Sequence, residues 1–125
     1  MQRADVWPLN PRGEILLGLK IENRRALEAC EASARVPGIA FAEWGPGDMG
    51  MSFGHRDAHD PPYPPEMEAA RARVQAACDA AGLYFLNMVR PGDVVAQIDA
   101  GVRIGSATAE AAAIGRKHTG RTMPV

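Results

Sequence analysis

The chain has 125 residues and a formal net charge of −1, with 46% hydrophobic and 23% charged residues, the proportions of one ordinary soluble globular domain. No basic surplus marks a nucleic-acid or anionic-membrane partner, and no apolar run approaches the roughly 18 residues of a membrane span. Met1-Gln2-Arg3-Ala4-Asp5 carries no signal-peptide core, so the expected compartment is the cytoplasm.

Residues 1–14 read as a connection: two prolines flank Leu9-Asn10, and Asn10-Pro11-Arg12-Gly13 has the composition of a type I turn. The first strand is expected over 15–22. Ile15, Leu17, Leu19 and Ile21 make one face apolar, and Lys20 and Glu22 make the other polar toward the strand's exit. Asn23 is a suitable N-cap for a helix running to about Arg35, with Ala26, Leu27, Cys30 and Ala34 at helical spacing. Pro37-Gly38 stops it, and a second strand is expected over 38–43.

Residues 44–64, rich in Gly, Pro, His and Asp, predict a long loop. Within it, His55-Arg56-Asp57-Ala58-His59-Asp60 reads as a solvated stretch rather than a metal cluster, since no element holds those side chains. A lid is the other reading, with Met49, Met51 and Phe53 as its apolar underside. Pro64-Pro65-Glu66 opens a helix whose buried stripe is Met67, Ala70, Val74, Ala77, Cys78 and Ala81, ended by Gly82. A third strand is expected over 83–88. A short helix follows from Pro91 to Gly101, with Val94, Val95 and Ile98 inward. A fourth strand is expected over 102–105, then an alanine-rich helix over 107–117 capped by Ser106 or Thr108. Arg116, Lys117 and His118 suit the negative end of that helix's dipole. Cys30 and Cys78 both fall in helices and read as core packing, not as a disulfide.

Four consecutive βα units predict parallel strands. A full (β/α)8 barrel takes about 250 residues, so residues 15–118 are expected to form half of a TIM-type barrel or a small open α/β sheet. Residues 119–125 are expected to be a flexible tail.

In parallel α/β folds, the exit ends of strands are where sites are built. Glu22 stands at the exit of the first strand, and Gly45-Pro46-Gly47-Asp48 follows the second. Two carboxylates converging there, one on a glycine-rich turn, are suited to a hard divalent cation. The bland alternatives are a carboxylate serving the following helix and an ordinary turn aspartate. Lys20 alternates with Glu22, so both face one side. With Glu43 and Arg103 they read first as a structural ion-pair layer and second as a substrate contact.

At these residues the chain resembles the C-terminal half of the metal-dependent (class II) 4-hydroxy-2-oxoheptanedioate aldolase and citrate lyase beta-subunit family. The likeness covers residues 3–118. It rests on the strand ending Ile21-Glu22, the helix opening Asn23-Arg24-Arg25-Ala26-Leu27, Val36-Pro37-Gly38-Ile39, and Gly45-Pro46-Gly47-Asp48-Met49. The resemblance implies a lyase. Glu22 and Asp48 would bind a Mg²⁺, Mn²⁺ or Co²⁺ ion and serve as the catalytic pair. The N–H groups of Gly47 and Asp48 would receive the carboxylate of a pyruvate-like 2-oxo acid, and the reaction would be reversible cleavage to pyruvate and an aldehyde through a metal-stabilised enolate. It also implies a homo-oligomer. In the family a histidine base and an arginine on the keto oxygen come from the N-terminal half, which has no counterpart here.

Lys20 stands where the better-known aldolases carry glutamine against the substrate, and a cation there is expected to change substrate choice or to pair with a carboxylate. Glu43-Trp44 replaces a smaller apolar pair, and Trp44 is expected to narrow the pocket or pack on a neighbouring subunit. Three alternatives stay open: a non-catalytic module that binds metal and oxo acid, a citrate-lyase-like enzyme acting on an acyl-CoA thioester, and an inactive fragment.

Overall fold

The computed structural model describes residues 15–121. The connection expected over 1–14 and the last four residues of the expected tail lie outside them. The chain divides into two compact units, Met1–Phe85 and Leu86–Val125.

The first unit begins with β1 (Leu17–Ile21), α1 (Arg24–Glu28), α2 (Cys30–Ala34) and β2 (Ile39–Trp44). The strands are parallel, with Leu19 opposite Ala42, Lys20 opposite Glu43 and Ile21 opposite Trp44. Paired residues point to the same side of a sheet, so this register sorts the chemistry. Ile21, Ala42 and Trp44 are buried on the helix-covered side, while Lys20 and Glu43 share the other. Asn23 caps α1 as expected, its Oδ1 accepting from the Ala26 N–H at 2.8 Å. The single helix expected over 23–35 is instead two. Ala29, at φ −103° and ψ 6°, breaks it where α1, which buries nothing, gives way to α2, which buries Cys30 and Ala34.

The loop expected over 44–64 contains α3 (Pro46–Phe53). Proline begins it, where a missing N–H costs nothing. Gly54 ends it at φ 89°, which lets the His55 N–H reach back to the Gly50 carbonyl at 2.7 Å. Of the glycines that suggested a loop, Gly45 and Gly54 bound this helix, and Gly47 and Gly50 lie within it. After it, α4 (Pro65–Ala81) buries Met67, Ala70, Val74, Ala77 and Cys78 against α2 and β2. Ala81 is only half-buried, since the stripe turns away before Gly82. Full burial of residues such as Met67 and Val74 is worth roughly 1.5–3 kcal/mol each. Cys30 and Cys78 are free and buried, as expected, and burial pushes the Cys78 thiol up to about 11.

The second unit holds most of β3 (Tyr84–Val89), then α5 (Val94–Asp99), β4 (Ile104–Ala107) and α6 (Ala109–Thr119). Strands β3 and β4 are parallel, with Leu86 opposite Ile104. The fourth strand lies two residues later than expected because Val102 closes α5, its N–H donating to Gln97 O at 3.0 Å. Val95 points outward, correcting its inward assignment, while Val94 is buried and Ile98 half-buried. Thr108, not Ser106, caps α6. His118 ends α6 and also meets Asp99 of α5 at 2.8 Å. Asn87, buried on β3, donates to Gln97 Oε1 at 2.7 Å, and Gln97 Nε2 donates to Met88 O at 3.1 Å. This satisfies a polar side chain that burial would otherwise penalise.

The four strands form one parallel sheet in the order β1-β2-β3-β4. This is the expected arrangement, four βα units of a TIM-type barrel.

On the first unit's surface, Arg73 of α4 grips Glu31 of α2 with two bonds, Nε to Oε1 at 2.7 Å and Nη2 to Oε2 at 2.9 Å. That clamp, with Glu31's own backbone N–H, lowers its carboxyl from 4.5 to about 2. A depressed folded-state value stabilises the fold above pH 4.5, and the contribution is lost as pH falls from there toward 2. In acid titrations followed by circular dichroism, Arg73→Ala should lose stability at pH 7, and the difference from the native chain should shrink toward pH 2. A constant difference across that range would contradict the clamp.

Candidate functional site

The expected site residues Lys20, Glu22, Gly47 and Asp48 all lie in the first unit, at the exits of β1 and β2. Lys20 Nζ lies 2.9 Å from Glu22 Oε1 and 3.9 Å from Glu43 Oε2. Its ammonium is held above the ordinary lysine range, first by the Glu22 hydrogen bond, then by the charges of Glu43 and Glu22, with Asp48 adding to them. Two carboxylates therefore pair with one ammonium, and Asp48 contributes only through its charge. Of the ion-pair layer expected from the sequence, Lys20, Glu22 and Glu43 are present together. Arg103 belongs to the second unit and donates to Ile98 O at 3.2 Å.

Glu22 is placed by a close backbone approach. A Cβ on Gly45 would stand 2.3 Å from Glu22 Oε1 and 2.8 Å from its Cγ. The carboxylate thus occupies the space that any other residue at position 45 would fill. The chain after Glu22 is fastened to the far end of α3. The Arg24 N–H donates to Ser52 Oγ at 3.0 Å, its Nε donates to Ser52 O at 3.1 Å, and its guanidinium lies 4.5 Å from the Phe53 ring centroid. Phe53 is thereby covered by Arg24 and Met49 is fully buried, while Met51 is exposed, so these three residues do not form one apolar underside.

Gly47 and Asp48 occupy the first turn of α3. No side-chain hydrogen bond caps that turn, and the N-terminal end of a helix favours an anion. The His59 imidazole stands over Gly47, its Nδ1 3.3 Å from where a Cβ would lie. Its neighbour in the histidine-rich stretch, His55, pairs with Glu66 on α4. His55 thus has a partner on α4, while Arg56, Asp57, His59 and Asp60 are exposed, as expected of a solvated stretch. Nothing in the sequence of this irregular segment indicated that His59 returns to the glycine turn. Trp44 is fully buried and meets the Tyr63 ring edge-on at 5.2 Å. It belongs to the core and presents no outer surface, because its register with Ile21 turns it to the helix-covered side.

Among the described residues, no three or more His, Cys, Asp or Glu side chains converge closely enough to cage a metal by themselves. The donor chemistry nonetheless fits a hard divalent ion. Magnesium commonly takes one or two carboxylates and fills its remaining positions with water or substrate oxygen, and Glu22 and Asp48 are the two that this end of the sheet offers.

No family model matches the sequence, and no curated protein matches it. Solved structures do match its fold. An HpcH/HpaI aldolase/citrate lyase family protein from Burkholderia cenocepacia J2315 is 23% identical, with a TM-score of 0.67 over 86% of this chain and 41% of that one. A citrate lyase from Burkholderia xenovorans LB400 is 20% identical, with a TM-score of 0.71 over 89% and 40%. Protein CitE from Mycobacterium tuberculosis, solved with magnesium and acetate, is 13% identical, with a TM-score of 0.71 over 90% and 52%. The fold is the one these structures share. This chain spans about half of their length or less. Among the described residues no helix is long and apolar enough to cross a membrane.

Gly45→Ala tests the placement of Glu22. The added methyl group displaces a side-chain end rather than backbone, so urea denaturation should show a loss of no more than about 1 kcal/mol. Titration of the variant with Mn²⁺ should show at least tenfold weaker binding than the native chain. Unchanged Mn²⁺ affinity would mean that the Gly45–Glu22 contact does not set the site.

Proposed function

We propose that this chain carries the metal- and carboxylate-binding part of a carbon-carbon lyase acting on a 2-oxo acid. The substrate would be a 4-hydroxy-2-oxo acid cleaved reversibly to pyruvate and an aldehyde. The observation that carries the reading is the acidic cluster of Glu22, Glu43 and Asp48 around Lys20, set beside the uncapped first turn of α3. A site with excess negative charge next to open N–H groups accepts a cation and a carboxylate together. The fold shared with aldolase and citrate lyase structures supports it.

In this reading Glu22 and Asp48 hold Mg²⁺, Mn²⁺ or Co²⁺. The bound ion supplies Lewis acidity toward charge that develops on substrate oxygen. The N–H groups of Gly47 and Asp48 receive the substrate carboxylate, where the helix's positive end favours an anion. Lys20 steadies the Glu22 carboxylate through Oε1, and its side chain, 61% exposed, remains within reach of a substrate oxygen. Glu43 balances that ammonium when Glu22 turns to the metal.

Calorimetric titration with Mg²⁺ and Mn²⁺, with and without pyruvate, tests the reading on the native chain, Glu22→Gln and Asp48→Asn. Binding should tighten with pyruvate, and each substitution should weaken it at least tenfold, about 1.4 kcal/mol. Cation binding that ignores both substitutions would refute the assignment. Binding with no release of pyruvate from a 4-hydroxy-2-oxo acid would instead favour the non-catalytic module.

A further inference from the structure

α3 is a helix that its own sequence holds weakly. Gly47 and Gly50 lie inside it, and glycine is the poorest helix former after proline. Its last turn carries no basic residue to meet the negative end of its dipole. Yet this helix presents Asp48 and the N–H groups of Gly47 and Asp48, so its position sets where they stand relative to Glu22 on the strand exit beside it. That position leans on contacts from outside the helix.

Residues 22–24 hold α3 at both ends. At its start, Glu22 Oε1 lies over Gly45, in the space of a side chain that glycine lacks. At its end, the Arg24 N–H donates to Ser52 Oγ at 3.0 Å. The Arg24 guanidinium donates to two carbonyls of the last turn, through Nε to Ser52 O at 3.1 Å and through Nη2 to Phe53 O at 3.5 Å. Last-turn carbonyls have no partner within their own helix. Arg24 therefore satisfies two of them and supplies the cation that α3 lacks. The same guanidinium lies 4.5 Å from the Phe53 ring centroid. A helix of eight residues is about 12 Å long, a length that a three-residue stretch with its side chains can span. One short segment thus carries a candidate metal ligand and, two residues on, the anchor of the helix that bears the other ligand.

We propose that Arg24 is a positioning residue of the site. It sets the separation of the Glu22 and Asp48 carboxylates, and through that separation the affinity for a divalent cation. It acts through this geometry and touches neither ion nor substrate. The inference deepens the proposed function and rests on that reading for the ion; the placement of Glu22 can be read without one. Lysine replaces the contact only in part, because an ammonium is a point donor that lacks the planar fork and the stacking face of a guanidinium.

The test uses the full chain with Arg24→Ala, Arg24→Lys and Ser52→Ala. With no metal added, the carbon-13 resonance of the Glu22 carboxylate should move in Arg24→Ala while circular dichroism stays native. Titration with Mn²⁺ should show binding weakened about tenfold or more in Arg24→Ala, less in Arg24→Lys, and least in Ser52→Ala, which keeps the guanidinium contacts. Should Arg24→Ala fail to fold, the order of Arg24→Lys below Ser52→Ala in affinity decides. A folded Arg24→Ala that binds Mn²⁺ as the native chain does would overturn the proposal. A native chain that binds no Mn²⁺ would sink the lyase reading instead, and the positioning role would then stand or fall on whether Arg24→Ala moves the Glu22 resonance.

Discussion

The site depends on a carboxylate standing where a side chain is missing. Glu22 leaves β1 and lays its Oε1 over Gly45, at the exit of the neighbouring strand. Parallel register makes this possible, because Lys20 opposite Glu43 and Ile21 opposite Trp44 bring the two exits side by side. The glycine then allows contact, and Lys20 fixes the direction. Had β1 and β2 been antiparallel, the carboxylate and the α3 turn would lie at opposite ends of the sheet.

Charge decides what such a cluster does. Three carboxylates near one ammonium repel one another, and partial exposure of Glu22 and Glu43 lets water screen that repulsion. In the proposed reading, a divalent ion would relieve the negative charge that Lys20 leaves unbalanced. A fully buried trio would need the ion in order to fold. Exposure thus favours a site loaded after folding and open to exchange of water for substrate oxygen.

Much of the fold was legible because strand parity and helix spacing report burial directly. Ile21 and the stripe from Met67 to Cys78 are buried where periodicity put them, and Asn23 caps its helix. The residues at 20, 22, 47 and 48 could be picked out because chemistry at strand exits uses a small set of residue types. What escaped has two physical origins. Some features depend on tertiary partners: the break at Ala29, the outward turn of Val95, the burial of Trp44 against Tyr63, and the return of His59 to Gly47. Others were masked by composition. α3 is bounded by Gly45 and Gly54 and rich in glycine within, so weak helix propensity hid a segment held by Pro46 at one end and a left-handed glycine at the other.

The candidate site is built from adjacent segments of a single unit, and this separates ion binding from turnover. Glu22, Glu43, Gly45 and Asp48 all come from β1, β2 and the start of α3, adjacent segments within the first unit. Their mutual placement is set by β1–β2 pairing and by the Arg24 contacts to Ser52 and Phe53. In the proposed reading, cation binding therefore draws on geometry local to this unit. Turnover draws on more: a proton acceptor and a cavity closed to water, which an eight-stranded barrel provides and an open sheet does not. Affinity for the ion and catalytic rate should for that reason respond differently to whatever closes the sheet.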